Sequence, residues 1–587
     1  MAKIARKLTY NDLTGGINNV NSIETINSTV KRTETPEMVN IEYFKLGGIK
    51  TMEGNTQVGD TQPSPVVGGW EYTKNDIRYM MVALKSGEIK VLDSVTETFQ
   101  LVYKFAHVSD RVSFCNMNNG VVVTNGIDDM VFYEKNRHTT LSGTISTTAD
   151  SVDVVGVGTD FQTELNPGDT VDINDTVYYI DAITSATELK LRTAATETLS
   201  NVSYYLSEVS ECNAVLINEE DNTIHTPIRG RAIQYYNGRL WVGTDNGLFY
   251  SQIGQYNKWD IKYDAGVIYS IYNDTSEIQA LGLFSSYLLI HKKFNTYSLV
   301  CNGDASTIQV EPYSNITCNS QQSWIVSNTK YFVYSAQHMD IYPLLQHTIF
   351  QDRYLGEPIT IKVRNVFQNL READQDKIFC VSLPRNRWMV FYLPMVDQLG
   401  SAYGLIYDFQ TKSWLCRKVP QEVTIAFNYS GNVYIGTEEG KVLKEFTGST
   451  FDGEPIQAYY KSPWFDWADG YTQSFSEFAI EIVNDFNNNF YIRTYKDGSS
   501  PYEDRIITSD ALTGDALIWD GITDLPNNDT YWDEDNWVKG NFEHIRMLLP
   551  NNVFDKFQLE LGTNSEGQAF AVYGYGFRRI ETEEAPW

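Results

Sequence analysis

Residues 239–250 read RLWVGTDNGLFY. Two runs of strand-forming residues flank a polar turn, Asp245-Asn246-Gly247, and Asn and Gly supply the positive φ that a tight hairpin needs. The pattern returns at 432–443, NVYIGTEEGKVL, where Ile435-Gly436-Thr437 replaces Val242-Gly243-Thr244 and Gly440 replaces Gly247. Looser copies lie at 79–91, turning at Ser86-Gly87, and at 121–133; weaker ones lie at 287–300, 330–344 and 381–393. With one insertion set aside, the turns fall roughly 40–50 residues apart, the period of propeller blades. A single hairpin cannot bury its own face, but a ring of stacked sheets can. The expected fold is mainly β: a β-propeller of six or seven blades, with unrelated hairpins in a large all-β chain as the alternative.

At 587 residues the chain exceeds a single core. Apolar residues at 42% and aromatics at 13% suffice for packed cores, and the abundance of Tyr and Phe suits sheets. No apolar run approaches the ~20 residues that span a bilayer. The N-terminus, MAKIARKLTYNDLTGG, is charged but has no apolar segment, so neither membrane insertion nor a secretory signal is expected. Cys115, Cys212, Cys301, Cys318, Cys380 and Cys416 form no CxxC pair and sit mostly in apolar runs. They read as buried free thiols of a reducing compartment, with disulfides as the alternative. Acidic residues number 75 against 46 Lys and Arg, a net charge of −29. That excludes a protein that wraps nucleic acid in basic stripes. It suits a wall that a polyanion slides past, or simply solubility.

Composition divides the chain into five parts. Residues 1–66 read as an extended arm punctuated by glycines, and 67–138 as the first part of the propeller. Residues 139–208, rich in Thr, Ser, Asp and Val, read as an inserted small β-barrel or sandwich. The propeller resumes over 209–453. Residues 454–587 read as a C-terminal β-sandwich-like domain with a loop rich in Trp and Asp, ALIWDGITDLPNNDTYWDEDNWVKG. One helix is expected over 357–372, where Val363, Val366, Phe367 and Leu370 fall at helical spacing. YDFQTKSW, 407–414, reads as a further hairpin.

Catalytic signatures are missing. His107, His138, His225, His291, His338, His347 and His544 sit at no ligand spacing with one another or with Cys. No nucleophile elbow, phosphate loop or dinucleotide fingerprint occurs. The expectation is a protein without enzymatic activity, cofactor or metal. Asp533-Glu534-Asp535 could hold calcium but lacks the Gly and the register of a calcium loop, so a solvated acidic turn is the alternative. Trp519, Trp532 and Trp537 are candidate contacts to a partner or a glycan, against a small core under the loop. Trp464 and Trp467 pose the same choice; Phe465 on the alternate face favours packing.

The order GGIN, then E-x-P-x-M-x-N, then LGGI with a Gly soon after is carried by Gly15, Gly16, Ile17, Asn18, Glu34, Pro36, Met38, Asn40, Leu46, Gly47, Gly48 and Gly54. It resembles the N-terminus of tail tube nozzle proteins of short-tailed bacteriophages, also called tail hub or stabilisation proteins. Together with the propeller-like middle, the resemblance covers about the first three quarters of the chain. It implies a structural virion protein of the tail, assembled in the host cytoplasm, forming a homohexamer around a channel. It also implies contact with the adaptor, or head-to-tail connector, ring and docking of tail fibres or spikes. Genomic duplex DNA would be retained and ejected through the lumen without specific binding. The alternative is a carbohydrate-binding or depolymerising propeller that reads the host surface; a third reading is an intracellular propeller scaffold.

Overall fold

The computed structural model describes residues 6–20, 33–44, 47–135, 137, 139–174, 176–216, 226–344, 357–368, 370, 372–396, 402–466, 471–475, 477–483, 488–498, 503–508, 542–548 and 553–584. The fold is a β-propeller, and it has seven blades. Blade 1 is Val66–Lys74, Ile77–Leu84, Glu88–Asp93 and Thr98–Lys104. Blade 2 is Ser113–Met117, Gly120–Thr124, Val131–Tyr133 and, after the insertion, Tyr204–Glu211. Blade 3 is Ala232–Tyr236, Arg239–Gly243, Leu248–Tyr250 and Gly266–Ile268. Blade 4 is Ile278–Phe284, Tyr287–Lys292, Thr296–Val300 and Gln309–Ser314. Blade 5 has three described strands, Trp324–Ser327, Lys330–Ser335 and Asp340–Leu344. Blade 6 is Phe379–Leu383, Trp388–Val396, Ala402–Asp408 and Ser413–Val419. Blade 7 is Val423–Tyr429, Asn432–Thr437 and Val442–Glu445, completed by Asn55–Gln57 from the N-terminal segment.

Six of the seven sequence repeats are the second and third strands of a blade. The stretch 381–393 is different. Its turn joins the first and second strands of blade 6, with Leu383 opposite Trp388. The Pro384–Asn386 turn is compact and ends on Arg387 at φ 58°. The stretch 407–414 joins the third and fourth strands, with Tyr407 opposite Trp414.

The ring closes between blades 1 and 7. The Gly69 position lies against the Phe427 ring, which a Cβ would meet at 2.1 Å, and the Thr424 hydroxyl donates to the Val66 carbonyl. The antiparallel pairing of Asn55–Gln57 with Val442–Glu445 locks the last blade. At its centre Arg417 and Glu445 form an ion pair with both side chains fully buried. The Arg417 guanidinium also donates to the carbonyls of Glu53 and Gly54, each at 2.8 Å. Glu445 further accepts from Asn55 Nδ2 at 2.9 Å and Tyr392 OH at 3.0 Å. Every charge-bearing atom thus has a partner, which a buried ion pair requires. Gly54 is needed where it stands, because a Cβ there would lie 1.8 Å from the Thr450 carbonyl oxygen.

The segment read as an arm is therefore distributed between two domains. Arg6–Tyr10 and Ile49–Thr51 pair with Ala571–Glu584, and Ile41–Tyr43 pairs with Ile49–Thr51. Glu37–Val39 pairs with Ala458–Lys461 in a second sheet that continues through Phe557–Thr563, Asn489–Lys496 and Glu503–Thr508. The C-terminal domain thus has two sheets, and each holds N-terminal strands. Phe475, Phe557 and Phe577 meet in its core at centroid distances of 5.0–5.6 Å. Phe465, not Trp464, is the fully buried residue of this stretch; Trp464, expected to pack, is half-buried, and Trp467 lies outside the described residues. One continuous apolar core runs from this sandwich into blades 5 to 7 and on into blade 1 through Val66, Met80, Val82 and Leu84.

The insertion is more self-contained. Leu141, Ile145, Phe161, Val171, Ile180 and Tyr204 belong to a core confined to the module. Its link to the ring is a shared strand: Tyr204–Glu211 pairs with Asp169–Ile173 of the module and, through Val209, Ser210 and Glu211, with Val131–Tyr133 of blade 2. The helix expected over 357–372 is shorter, a 3-10 turn Ile361–Val363 running into Arg364–Gln368. Val363, Phe367 and Leu370 are buried against the propeller.

Candidate functional site

The first strands of the blades line the propeller axis, and three neighbouring cavities occupy it. One, of about 430 Å³, lies along the strands themselves and touches Gly69, Phe114, Gln234, Trp324, Val381 and Phe427. Two more, of about 510 and 470 Å³, lie at the ends where these strands begin. Both are walled by Arg111 and Asp376, whose side chains form an ion pair of 2.5 Å. Arg111 leads into blade 2 and Asp376 into blade 6, so the pair spans the mouth between blades that are not neighbours. Asp376 Oδ1 has no hydrogen-bond partner.

The mouth is charged but balanced. Lys85 pairs with Asp110 at 2.8 Å and Lys377 with Asp374 at 2.9 Å. The Lys85 bond holds the Asp110 carboxyl below its usual range. Burial alone would raise Asp128, but hydrogen bonds from His107 and Asn125 outweigh it and hold this carboxyl down too. Deeper in, Glu71 is the one charged residue of the wall among the described residues. Burial pushes the Cys380 thiol well up, so no thiolate nucleophile faces the cavity. Among the described residues no three His, Cys, Asp or Glu side chains converge as metal ligands. No helix among them is long and apolar enough to cross a membrane.

The cysteines carry no disulfide; all but the partly exposed Cys380 are buried. His291 is a satisfied core histidine: Nδ1 lies 2.8 Å from the Thr296 hydroxyl and Nε2 2.8 Å from Tyr331 OH. Trp519, Trp532 and Trp537 lie outside the described residues, as does Asp533-Glu534-Asp535. The axial residues come from separate blades, so no local motif announces them. A charged residue nevertheless stands just before the first strand of five blades, at Arg111, Arg231, Glu277, Lys377 and Glu422, and this recurrence in the sequence marks the mouth.

Leu46 lies outside the described residues; several of the other residues that carry the resemblance lie near the junction of propeller and sandwich. Gly16, at φ +79°, lies where a Cβ would meet Ser413 Cβ at 2.6 Å. The Asn18 amide donates to buried Glu34 at 2.6 Å, and Glu34 accepts from Lys362 at 2.5 Å. The Asn40 amide donates to the carbonyls of Lys418 at 3.0 Å and Gln457 at 2.8 Å and accepts from the Lys418 N–H at 2.8 Å. One side chain therefore ties blade 6 to the start of the sandwich. Met38 is fully buried between them.

No protein-family model matches the chain, and no curated protein matches it. Solved structures similar to it include the computationally designed Ika8 protein, at 14% identity over 67% of this chain and 99% of that one, with a TM-score of 0.34. BamB from Moraxella catarrhalis matches at 9% identity over 69% and 93% of the two chains, with a TM-score of 0.32. The WD40 β-propeller domain of Doa1 matches at 10% identity over 66% and 96%, with a TM-score of 0.33.

Proposed function

We propose that this chain is a structural virion protein, the nozzle of a short phage tail that assembles as a homohexamer and contacts a connector ring and tail fibres. The observation that carries the proposal is the placement of the resemblance residues. Asn40 and Met38 join blade 6 to the sandwich, while Gly16, Asn18, Glu34 and Gly54 seat the N-terminal segment against blade 6, the Lys362 turn and the end of blade 7. A short motif that builds an interdomain joint is what a shared architecture would require, as opposed to a shared surface site. On this reading the DNA passes between copies of the chain, since the axis of one propeller holds only small cavities and is bridged by Arg111 and Asp376. The acidic excess of the chain opposes phosphate adhesion along such a lumen.

The test is the native mass of the purified full chain, alone and with extracts of the particle that contains it. A ring of six copies that co-purifies with a connector is the expected outcome. A chain that stays monomeric at all concentrations and joins no particle overturns the proposal.

A further inference from the structure

The axial cavity of about 430 Å³ has the size of a small-molecule site. Aromatic rings stand in its wall. Trp70 and Phe114 stack at 6.3 Å, and Trp324 and Phe427 complete the set. Its amides divide into two kinds. Gln321 and Asn428 are used between strands: Gln321 exchanges 2.8 Å bonds with the backbone of Leu281, and Asn428 bonds that of Ser382. Gln322 has no side-chain hydrogen bond, and Gln234 has one long contact, 3.4 Å, to the carbonyl of its neighbour Tyr235. The buried Trp324 indole N–H has no acceptor. Side-chain amides without a strong protein partner in a concave wall are free to bond a ligand.

The charge of the wall limits what that partner is. Its carboxylate, Glu71, accepts from the Ser430 N–H and lies 3.7 Å from Arg78. No Lys or Arg lines this cavity, so a phosphate or carboxylate would enter without a counter-charge. We infer that the axial cavity binds a neutral saccharide unit. Phe114 stacks on one face of Trp70 and Tyr331 on one face of Trp324; the opposite, electron-rich faces suit the C–H faces of a sugar. The amides of Gln234 and Gln322 suit its hydroxyls. This inference is independent of the nozzle reading, because it needs no second copy of the chain and no virion.

Saturation-transfer NMR on the full chain tests it, with D-glucose, D-galactose and N-acetyl-D-glucosamine as probes at millimolar concentration and glucose 6-phosphate as the charged comparison. Transfer to at least one neutral sugar is expected, weakened about tenfold in affinity by Gln322→Leu and by Trp324→Phe. Thermal melting checks that both variants are folded; Gln322→Leu, at a partly exposed position, carries the test if Trp324→Phe does not fold. Absence of transfer to all three sugars overturns the inference. So does transfer unchanged in the variants, which would place the sugar elsewhere, or binding of the phosphate as tight as that of glucose.

Discussion

Blade 7 and blade 2 are both finished by a strand that is distant in the chain, and they solve the problem differently. Blade 7 takes Asn55–Gln57 from the N-terminal segment and sets Arg417 and Glu445, both fully buried, beside it. Its apolar residues belong to the core that continues into the sandwich. Blade 2 takes Tyr204–Glu211 after a module with a core of its own. Separation in sequence is large in both. What differs is whether the core is continuous across the joint, and that decides which joint the ring depends on.

The largest effect should come from splitting the buried ion pair. Glu445→Ala leaves the Arg417 charge enclosed and orphans the donors of Asn55 and Tyr392. Breaking one partner of such a pair costs about 3–5 kcal/mol. The double variant Arg417→Met, Glu445→Leu removes both charges and should recover part of the loss, although the carbonyls of Glu53 and Gly54 lose their donor. Urea midpoints of the three proteins check this. A Glu445→Ala midpoint equal to wild type would mean that the closure of blade 7 does not rest on this pair.

Two glycines make a smaller and sharper contrast. Gly54→Ala drives a methyl into the Thr450 carbonyl, an overpacking worth about 1–3 kcal/mol that should destabilise ring and sandwich together. Gly158→Ala in the module has its nearest atom 3.8 Å away but a φ of +71°. It carries only the left-handed penalty, about 1 kcal/mol, and should soften the module alone. Hydrogen exchange, resolved by peptide, distinguishes a spread loss of protection from a local one.

A third effect separates ring from module by pH. Burial lowers the pKa of His291, between blades 4 and 5, from 6.5 to about 3. The folded state keeps this imidazole neutral while the unfolded chain takes up a proton below about 6.5. Stability is therefore full above that pH and falls as pH drops, by about 1.4 kcal/mol at pH ~5.5. The module, 139–208, contains no histidine. The ring transition of the wild type should move between pH ~7 and ~5.5, and His291→Gln should remove that part of the shift. An identical shift in the variant would assign the pH dependence to other groups.

Much of the ring was legible in the sequence, but in a secondary signal. The hairpins chosen by their Val-Gly-Thr and Ile-Gly-Thr runs join second and third strands, where turn lengths vary. The connection between first and second strands is more regular. Asn75-Asp76, Asn118-Asn119, Asn237-Gly238, Ser285-Ser286, Asn328-Thr329 and Ser430-Gly431 each separate two strands by two residues, and the first of every pair has positive φ. Reading those turns places six blades and leaves blade 6, with its Pro384–Asn386 turn, as the exception. The closing strand was not legible. Asn55–Gln57 has three residues with little apolar pattern, and its partners in blade 7 lie nearly the whole propeller away. The axial cavity was hidden for a related reason: Gln234, Gln322 and Trp324 meet only once the blades form a ring.

A smaller effect than that of splitting the ion pair should follow from removing the module. Replacing residues 141–203 with a short Gly/Ser linker retains Tyr204–Glu211, whose Val209, Ser210 and Glu211 complete blade 2. A cut that runs to Ser207 would enter this strand and confuse two effects. The excision deletes most of a core confined to the module, leaving its Tyr204 and Leu206 uncovered, and closing the loop costs little because the entropy of closure grows only slowly with length. Several terms oppose it, among them the loss of the Arg192–Glu211 and Arg137–Asp169 ion pairs. The ring loses the bond from the Thr170 hydroxyl to the Val209 carbonyl, and the strand becomes an exposed edge on the side that Asp169–Ile173 covered. With the uncovered Tyr204 and Leu206 these amount to about 2–3 kcal/mol, below the loss expected of Glu445→Ala. The ring transition should therefore stay within a few degrees of wild type, against the larger loss expected of Glu445→Ala. If excision instead abolishes that transition, blade 2 depends on its insertion as blade 7 depends on its N-terminal strand, and core continuity is not what separates the two joints.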